Sequence, residues 1–85
     1  MQLNPKALGG ATAVFAGAVW FIAMAVSLIA GVGVVTLTTL GSFHPFFSYS
    51  WGGLVVIVTE HLIGGFVVGY VLARLYNKFL TENPR

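Results

Sequence analysis

The chain has 85 residues, of which 58% are hydrophobic and 7% are charged, whereas about a quarter of the residues in an ordinary soluble domain are charged. A soluble domain this small has a high surface-to-volume ratio, so four basic and two acidic side chains cannot keep its surface in water. Intrinsic disorder is excluded too, because it requires low hydrophobicity and high charge. The composition therefore predicts a membrane protein and, with so few side chains that can carry chemistry, no enzyme.

A long stretch of the chain, residues 7–59, contains no Asp, Glu, Lys or Arg. One transmembrane helix needs about 20 residues to cross a hydrocarbon core about 30 Å thick, so this stretch is too long for a single span. Gly, Ser and Pro residues interrupt it between positions 41 and 53, which predicts a turn there. Because lipid offers the backbone no hydrogen-bond partners, both spans should be helices.

We therefore expect an all-α membrane protein that folds as a single two-helix transmembrane hairpin. Span one is predicted at about 8–37, an outer loop at about 38–52, span two at about 53–76 and a cytoplasmic tail at 77–85. Span one is about twice as long as the apolar region of a signal peptide, which favours a retained span.

The basic residues predict the orientation. Lys6 precedes span one, while Arg74, Lys78 and Arg85 lie at or after the end of span two, and the connecting loop has no Lys or Arg. Loops on the cytoplasmic side are enriched in these residues. We expect a multi-pass protein of the inner (cell) membrane with both termini in the cytoplasm and the lipid bilayer as its first partner.

The predicted outer loop is rich in aromatic residues. Two interpretations stay open: a belt of rings at the lipid headgroups, which we favour, and a short re-entrant or docking element that contacts a partner. The residues concerned are Phe43, His44, Phe46, Phe47, Tyr49 and Trp51.

Glu60 is the single acidic residue inside a predicted span. It lies nine residues past Trp51, which is about 13 Å along a helix. An ionised carboxylate at that depth is costly unless it is paired or hydrated, so an intramembrane proton or ion site is one interpretation. The other is a neutral carboxyl group that hydrogen-bonds to a second helix as a packing contact. Counted inward from the end of span one, Ser27 reaches the same depth, so we predict a contact between Glu60 and Ser27.

His61 is the next residue after Glu60, and neighbours on a helix point about 100° apart. The two side chains therefore need not touch within one chain, but could meet between chains. Helical metal ligands need a spacing of three or four residues to share a face, and His44 is predicted at another depth. We predict no metal site and no cofactor. The pI near 9.4 depends on residues at the chain ends, which is not the clustered pattern of nucleic-acid binding.

Small residues repeat every fourth position in both spans, a pattern that lets transmembrane helices approach closely. One such repeat would serve the hairpin and another would be free for a second chain. The predicted packing residues are Gly65, Gly69 and Ala73 on span two and Ala23, Ser27 and Gly31 on span one, with Gly9, Ala13 and Gly17 forming a further repeat.

Several short motifs are spread over the chain: residues 3–8 (LNPKAL), residues 40–42 (LGS), residues 64–70 (GGFVVGY) and residues 75–79 (LYNKF). In these motifs the chain resembles a family of small prokaryotic two-helix membrane proteins of unknown function that are often labelled holin-like. The resemblance covers nearly the whole chain, and members tend to carry an acidic residue four places before the Gly-Gly pair, where Glu60 stands. The chain departs from the pattern at His61 and in a bulky apolar run. The resemblance implies pore formation.

Two functions are expected from these observations. In the first, the protein self-associates, with itself as partner, into a holin-like or ion-conducting oligomer. In the second, it is a non-catalytic accessory subunit that docks on a larger membrane protein complex. Two helices cannot enclose a channel, so any transport requires an oligomer or a larger complex.

Overall fold

The computed structural model describes residues 1–81 and is all-helical over that range, with no strand. Two long helices, α1 (Pro5–Ala30) and α3 (Trp51–Thr81), lie side by side and antiparallel, and a short helix, α2 (Val34–Gly41), lies between them in sequence. The prediction of an all-α chain with two long apolar helices is confirmed for these residues. The third helix was not predicted.

The start of α1 follows from its capping residues. The side chain of Asn4 accepts hydrogen bonds from the backbone N–H groups of Lys6 and Ala7, at 3.0 and 3.1 Å, and Pro5 occupies the first turn. Asn at this position satisfies N–H groups that have no partner within the helix, and Pro there loses no hydrogen bond.

The end of α1 corrects the prediction of one continuous helix through Leu37. Gly31 has a left-handed backbone conformation with φ 73°, and its N–H donates to the carbonyl of Ser27 at 2.7 Å, which terminates the helix. Gly33 is also left-handed, with φ 68°. Glycine enters this region at little cost, so two such residues in close succession redirect the chain before α2 begins.

Helix α3 also differs from its predicted bounds. It begins at Trp51 rather than near residue 53 and continues past residue 76 into the predicted tail. The rest of that tail, including Glu82 and Arg85, lies outside the described residues.

A small apolar core forms at the end of the hairpin where α1 stops and α3 starts, here named the loop end. Met24 and Ile57 are completely buried, and Leu54 is nearly so. Leu37 from α2 and Phe47 from the segment after α2 are packed against this core. Residues 34–50 therefore fold back onto the two long helices.

At the opposite end, named the terminal end, the first residues are tied to α3. The N–H of Leu3 donates to Asn77 Oδ1 at 2.8 Å, and Asn77 Nδ2 donates to the carbonyl of Leu3 at 2.7 Å. This pair of hydrogen bonds holds the start of α1 beside the last turns of α3. The basic residues Lys6 and Lys78 consequently belong to the same end of the hairpin.

Both long helices are long and apolar enough to cross a membrane. In their most apolar windows only 22% of α1 and 17% of α3 is buried. A core helix of a soluble protein is mostly buried, so the outward-facing apolar surface of these helices is typical of helices that contact lipid.

Candidate functional site: a polar groove beside the hairpin

The contact between α1 and α3 is closest at small residues. A Cβ atom added at Gly69 would lie 2.7 Å from the carbonyl oxygen of Leu8, and one added at Gly65 would lie 2.8 Å from the Cα atom of Ala13. Ala73 is completely buried. Contacts this short leave no space for side chains, so the two helices touch through their backbones at these glycines.

Of the two small-residue repeats predicted in span one, the repeat nearer the start of α1 makes this contact. Gly9, Ala13 and Gly17 are buried and face α3, whereas Gly31 is exposed, with open space around it, and terminates the helix. Ala23 is half-buried. Gly31 therefore takes no part in the contact between α1 and α3 and terminates α1, while packing of its repeat against a second chain stays a prediction.

Thr12 provides a polar contact across the helices that the sequence analysis did not identify. Its hydroxyl lies 2.5 Å from the carbonyl oxygen of Gly65 and also within hydrogen-bonding distance of the Leu8 and Gly9 carbonyls of its own helix. The hydroxyl has one hydrogen to donate, so these carbonyls share it. The sequence did contain a signal for this contact, because Thr12 directly precedes Ala13, a member of the predicted packing repeat.

Ser27 does not contact Glu60, which corrects the predicted pair. Ser27 is 1% exposed, and its hydroxyl lies 2.5 Å from the hydroxyl of Tyr49. The depth count that paired Ser27 with Glu60 assumed that span one extended to Leu37. Because α1 ends at Ala30, Ser27 lies near the loop end, beside the residues that lead into α3.

Glu60 lines an open groove of about 450 Å³, here named the polar groove. Its Oε1 atom is buried and has no hydrogen-bond partner among the described residues. The groove is bordered by Thr12, Phe15, Ala16, His44, Glu60, His61, Gly64, Gly65 and Val68. A buried carboxyl oxygen without a partner is costly, and such a group in a structure requires an explanation.

His44 also reaches this groove, although the sequence analysis placed it at another depth from His61. The centroids of the two imidazole rings are 5.1 Å apart, and the Trp20 ring lies 5.1 Å from His61 and 5.6 Å from His44. Trp20 is ten residues before the end of α1, which is about 15 Å along the helix. The segment after α2 therefore brings a histidine well away from the loop end.

The hydrogen bonds of the two histidines specify their tautomers. His44 Nδ1 lies 3.0 Å from the carbonyl oxygen of Leu40, and His61 Nδ1 lies 2.9 Å from that of Ile57. A carbonyl oxygen only accepts, so each Nδ1 carries the hydrogen. Each neutral ring consequently has its lone pair on Nε2.

The aromatic residues of the predicted loop divide into two groups. Phe43, Phe46 and Trp51 are exposed, at 78, 89 and 54%, as expected of rings that meet lipid headgroups. Phe47 and Tyr49 pack on the core of the hairpin, and His44 lies in the ring cluster. Three of these rings are therefore exposed to the surroundings, and the other three belong to the fold of the chain itself.

Within residues 1–81, no group of three or more His, Cys, Asp or Glu side chains is arranged to hold a metal ion. The rings of His44 and His61 are tilted by 41° to each other, and both contact Trp20. Among these residues the groove therefore combines one carboxyl group and two imidazoles, which are groups that exchange protons.

No protein-family model, curated protein or solved structure matches the chain. The resemblance to small holin-like proteins therefore stays a prediction, and the function is argued from the groove alone.

Proposed function

We propose that the chain is a small inner-membrane protein, with both termini in the cytoplasm, that self-associates into a holin-like or ion-conducting oligomer. The observation that carries this proposal is the buried Oε1 atom of Glu60, which has no hydrogen-bond partner among the described residues and borders an open groove. Lipid cannot supply a hydrogen-bond donor to the Glu60 carboxyl group at membrane depth. A second protein helix in the groove that this residue lines can supply one when the side chain turns Oε1 toward it.

A second copy of the chain is the occupant that fits the groove best. The groove carries an acceptor, the Glu60 carboxyl group, beside the imidazoles of His44 and His61, which donate from Nε2 when they are protonated. A surface with both kinds of group is self-complementary, as a two-fold contact between identical chains requires. Gly64 borders the groove with open space around it, so the backbone of a neighbouring helix can approach there.

The terminal end supports the proposed orientation. The Leu3–Asn77 hydrogen bonds hold both ends of the described chain together, and Lys6 and Lys78 lie at this end. Basic residues flank transmembrane helices on the cytoplasmic side.

The mass of the purified particle in mild detergent tests self-association. We expect an oligomer, and we expect Gly64→Leu to reduce its mass because the new side chain fills the groove. Thr59→Leu is the matched control, since Thr59 is exposed, lies outside the groove lining and is five residues before Gly64 on the same helix. A monomeric wild-type particle, or equal effects of the two substitutions, would contradict the proposal. Recovery of the monomer in a larger complex would favour the accessory-subunit alternative.

Ion flux into sealed vesicles tests the role of Glu60. Gln keeps the shape and hydrogen-bonding capacity of Glu without a titratable group, so Glu60→Gln should abolish pH-dependent flux and leave the oligomer mass unchanged. If Glu60→Gln retains wild-type flux while Glu60→Leu weakens assembly, Glu60 is a packing residue and the ion-conducting part of the proposal is wrong.

A further inference from the structure

Three rings from three separate parts of the chain meet beside the polar groove. Trp20 belongs to α1, His61 to α3, and His44 to the segment that follows α2. All three centroid distances lie between 5.1 and 5.6 Å. These contacts are made within one chain, so the ring cluster does not depend on self-association.

Each imidazole can take up a proton without losing its present hydrogen bond. Both rings donate from Nδ1 to a backbone carbonyl, of Leu40 or Ile57, and have their lone pairs on Nε2. A cation within about 6 Å of a Trp ring is attracted to the face of that ring. The His61 ring is tilted by 38° to Trp20, whereas His44 meets it edge to face at 70°. One imidazolium is therefore compatible with the cluster as it stands.

A second proton would give both imidazole rings a positive charge. Two imidazolium rings with centroids 5.1 Å apart carry like charges, so they repel each other. His61 is held in the middle of a long helix, whereas His44 lies in a short non-helical segment. The repulsion is relieved most readily by movement of the segment that carries His44.

Few other ionisable groups face the pair. Glu60 borders the same groove and is the one carboxyl group there. On α1 the ionisable side chain is Lys6, fourteen residues from Trp20, or about 21 Å along the helix. Helix α2 has none, and Tyr49 is engaged with Ser27. On α3 the next are Tyr70 and Arg74, nine and thirteen residues beyond His61.

We propose that His44 and His61 form a proton-binding pair beside Trp20 that takes up one proton with residues 42–50 docked on the long helices and a second only when this segment moves away. The ligand is the proton itself, and the pair makes the position of the segment depend on pH.

The fluorescence of Trp20 tests the pair, because an adjacent imidazolium quenches indole emission. Trp51→Phe leaves Trp20 as the single tryptophan and changes a residue outside the ring cluster. In detergent micelles titrated from alkaline to acidic pH, we expect two changes in Trp20 emission more than about one pH unit apart, as for coupled sites. The first is quenching by one imidazolium, and the second is the change that follows when the segment carrying His44 leaves the indole ring. His44→Gln and His61→Gln should each leave one step, whereas Thr59→Leu, which lies outside the groove lining, should retain both.

A single step in the Trp51→Phe protein would overturn the proposal, since two imidazolium rings with centroids 5.1 Å apart repel each other and should not both form in one step. The pH dependence of the imidazole nitrogen-15 chemical shifts can be measured in the unsubstituted protein. We expect the same two separate protonation steps there. Spin labels attached in a Phe43→Cys, Ile63→Cys double variant measure the distance between residues 42–50 and α3. Both positions are exposed, and the chain has no other cysteine. Their separation should stay constant through the first step and increase through the second. A constant separation through both steps would refute the movement of residues 42–50.

Discussion

The hydroxyl groups of Ser27 and Tyr49 lie 2.5 Å apart, which joins the last turns of α1 to the segment that leads into α3. Ser27 is 1% exposed, so its hydroxyl has no access to solvent. This contact anchors residues 42–50 at the loop end, while His44 anchors the same segment farther along the hairpin.

We expect Tyr49→Phe to destabilise the hairpin, because it removes the partner of a buried hydroxyl. Hydrogen bonds between membrane helices contribute about 0.6 kcal/mol on average and up to about 1.7 kcal/mol, so a loss in that range is expected. The free energy of unfolding, measured by circular dichroism as a denaturing detergent replaces a mild one, gives the value.

Tyr76→Phe is the matched control, since Tyr76 is 45% exposed and lies outside the loop-end core. It should leave the free energy of unfolding unchanged. In the Ser27→Ala background Tyr49→Phe should cost less than in the wild type, because both partners are then absent. Equal effects of the two Tyr substitutions would show that the Ser27–Tyr49 contact does not stabilise the fold.

Gly69→Ala and Gly65→Ala should each destabilise the hairpin by about 1–3 kcal/mol, the usual cost of overpacking. The added methyl group at Gly69 would meet the carbonyl oxygen of Leu8 at 2.7 Å, and backbone cannot move aside as a flexible side chain does. Gly10→Ala is the control, because nothing lies within 4 Å of a Cβ atom there. The same unfolding measurement applies, and a loss at Gly10 as large as at Gly69 would mean that α1 and α3 do not meet as described.

Asn77→Ala should loosen the first residues of the chain. It removes both side-chain hydrogen bonds to the backbone of Leu3, and a neutral hydrogen bond is worth about 1 kcal/mol. Amide hydrogen exchange should therefore be faster at Leu3 and unchanged at Ala13, deep in the helix contact. Unchanged exchange at Leu3 would contradict the tie between the two ends.

Single cysteines at Gln2 and Ser48 should react with a membrane-impermeant reagent from opposite sides of sealed vesicles. Both positions are exposed, at the terminal end and near the loop end respectively. The expected result is cytoplasmic labelling at Gln2, because basic residues flank the terminal end. Labelling of Gln2 from outside would reverse the proposed orientation.

Local sequence was enough to predict two long apolar helices, because hydrophobic composition, the Asn4–Pro5 cap and the terminal basic residues each act within a few positions of the chain. It also singled out Gly65, Gly69 and Glu60, whose residue types are informative in any apolar helix. The end of α1 at Gly31 was missed because Gly31 also continued an apparent packing repeat, and local spacing cannot separate a packing glycine from a terminating one.

The site itself was decided by tertiary structure. The choice of Gly9, Ala13 and Gly17 as the face of α1 depends on the rotation and register of one helix against another, which are set by contacts between residues more than forty positions apart. The meeting of His44 with His61 depends on the reversal of the chain at Gly31 and Gly33. A straight helix through these glycines would have kept the two histidines at different depths. Gly31 and Gly33 instead adopt left-handed conformations at little cost and turn the chain back onto its own helices, which forms the polar groove.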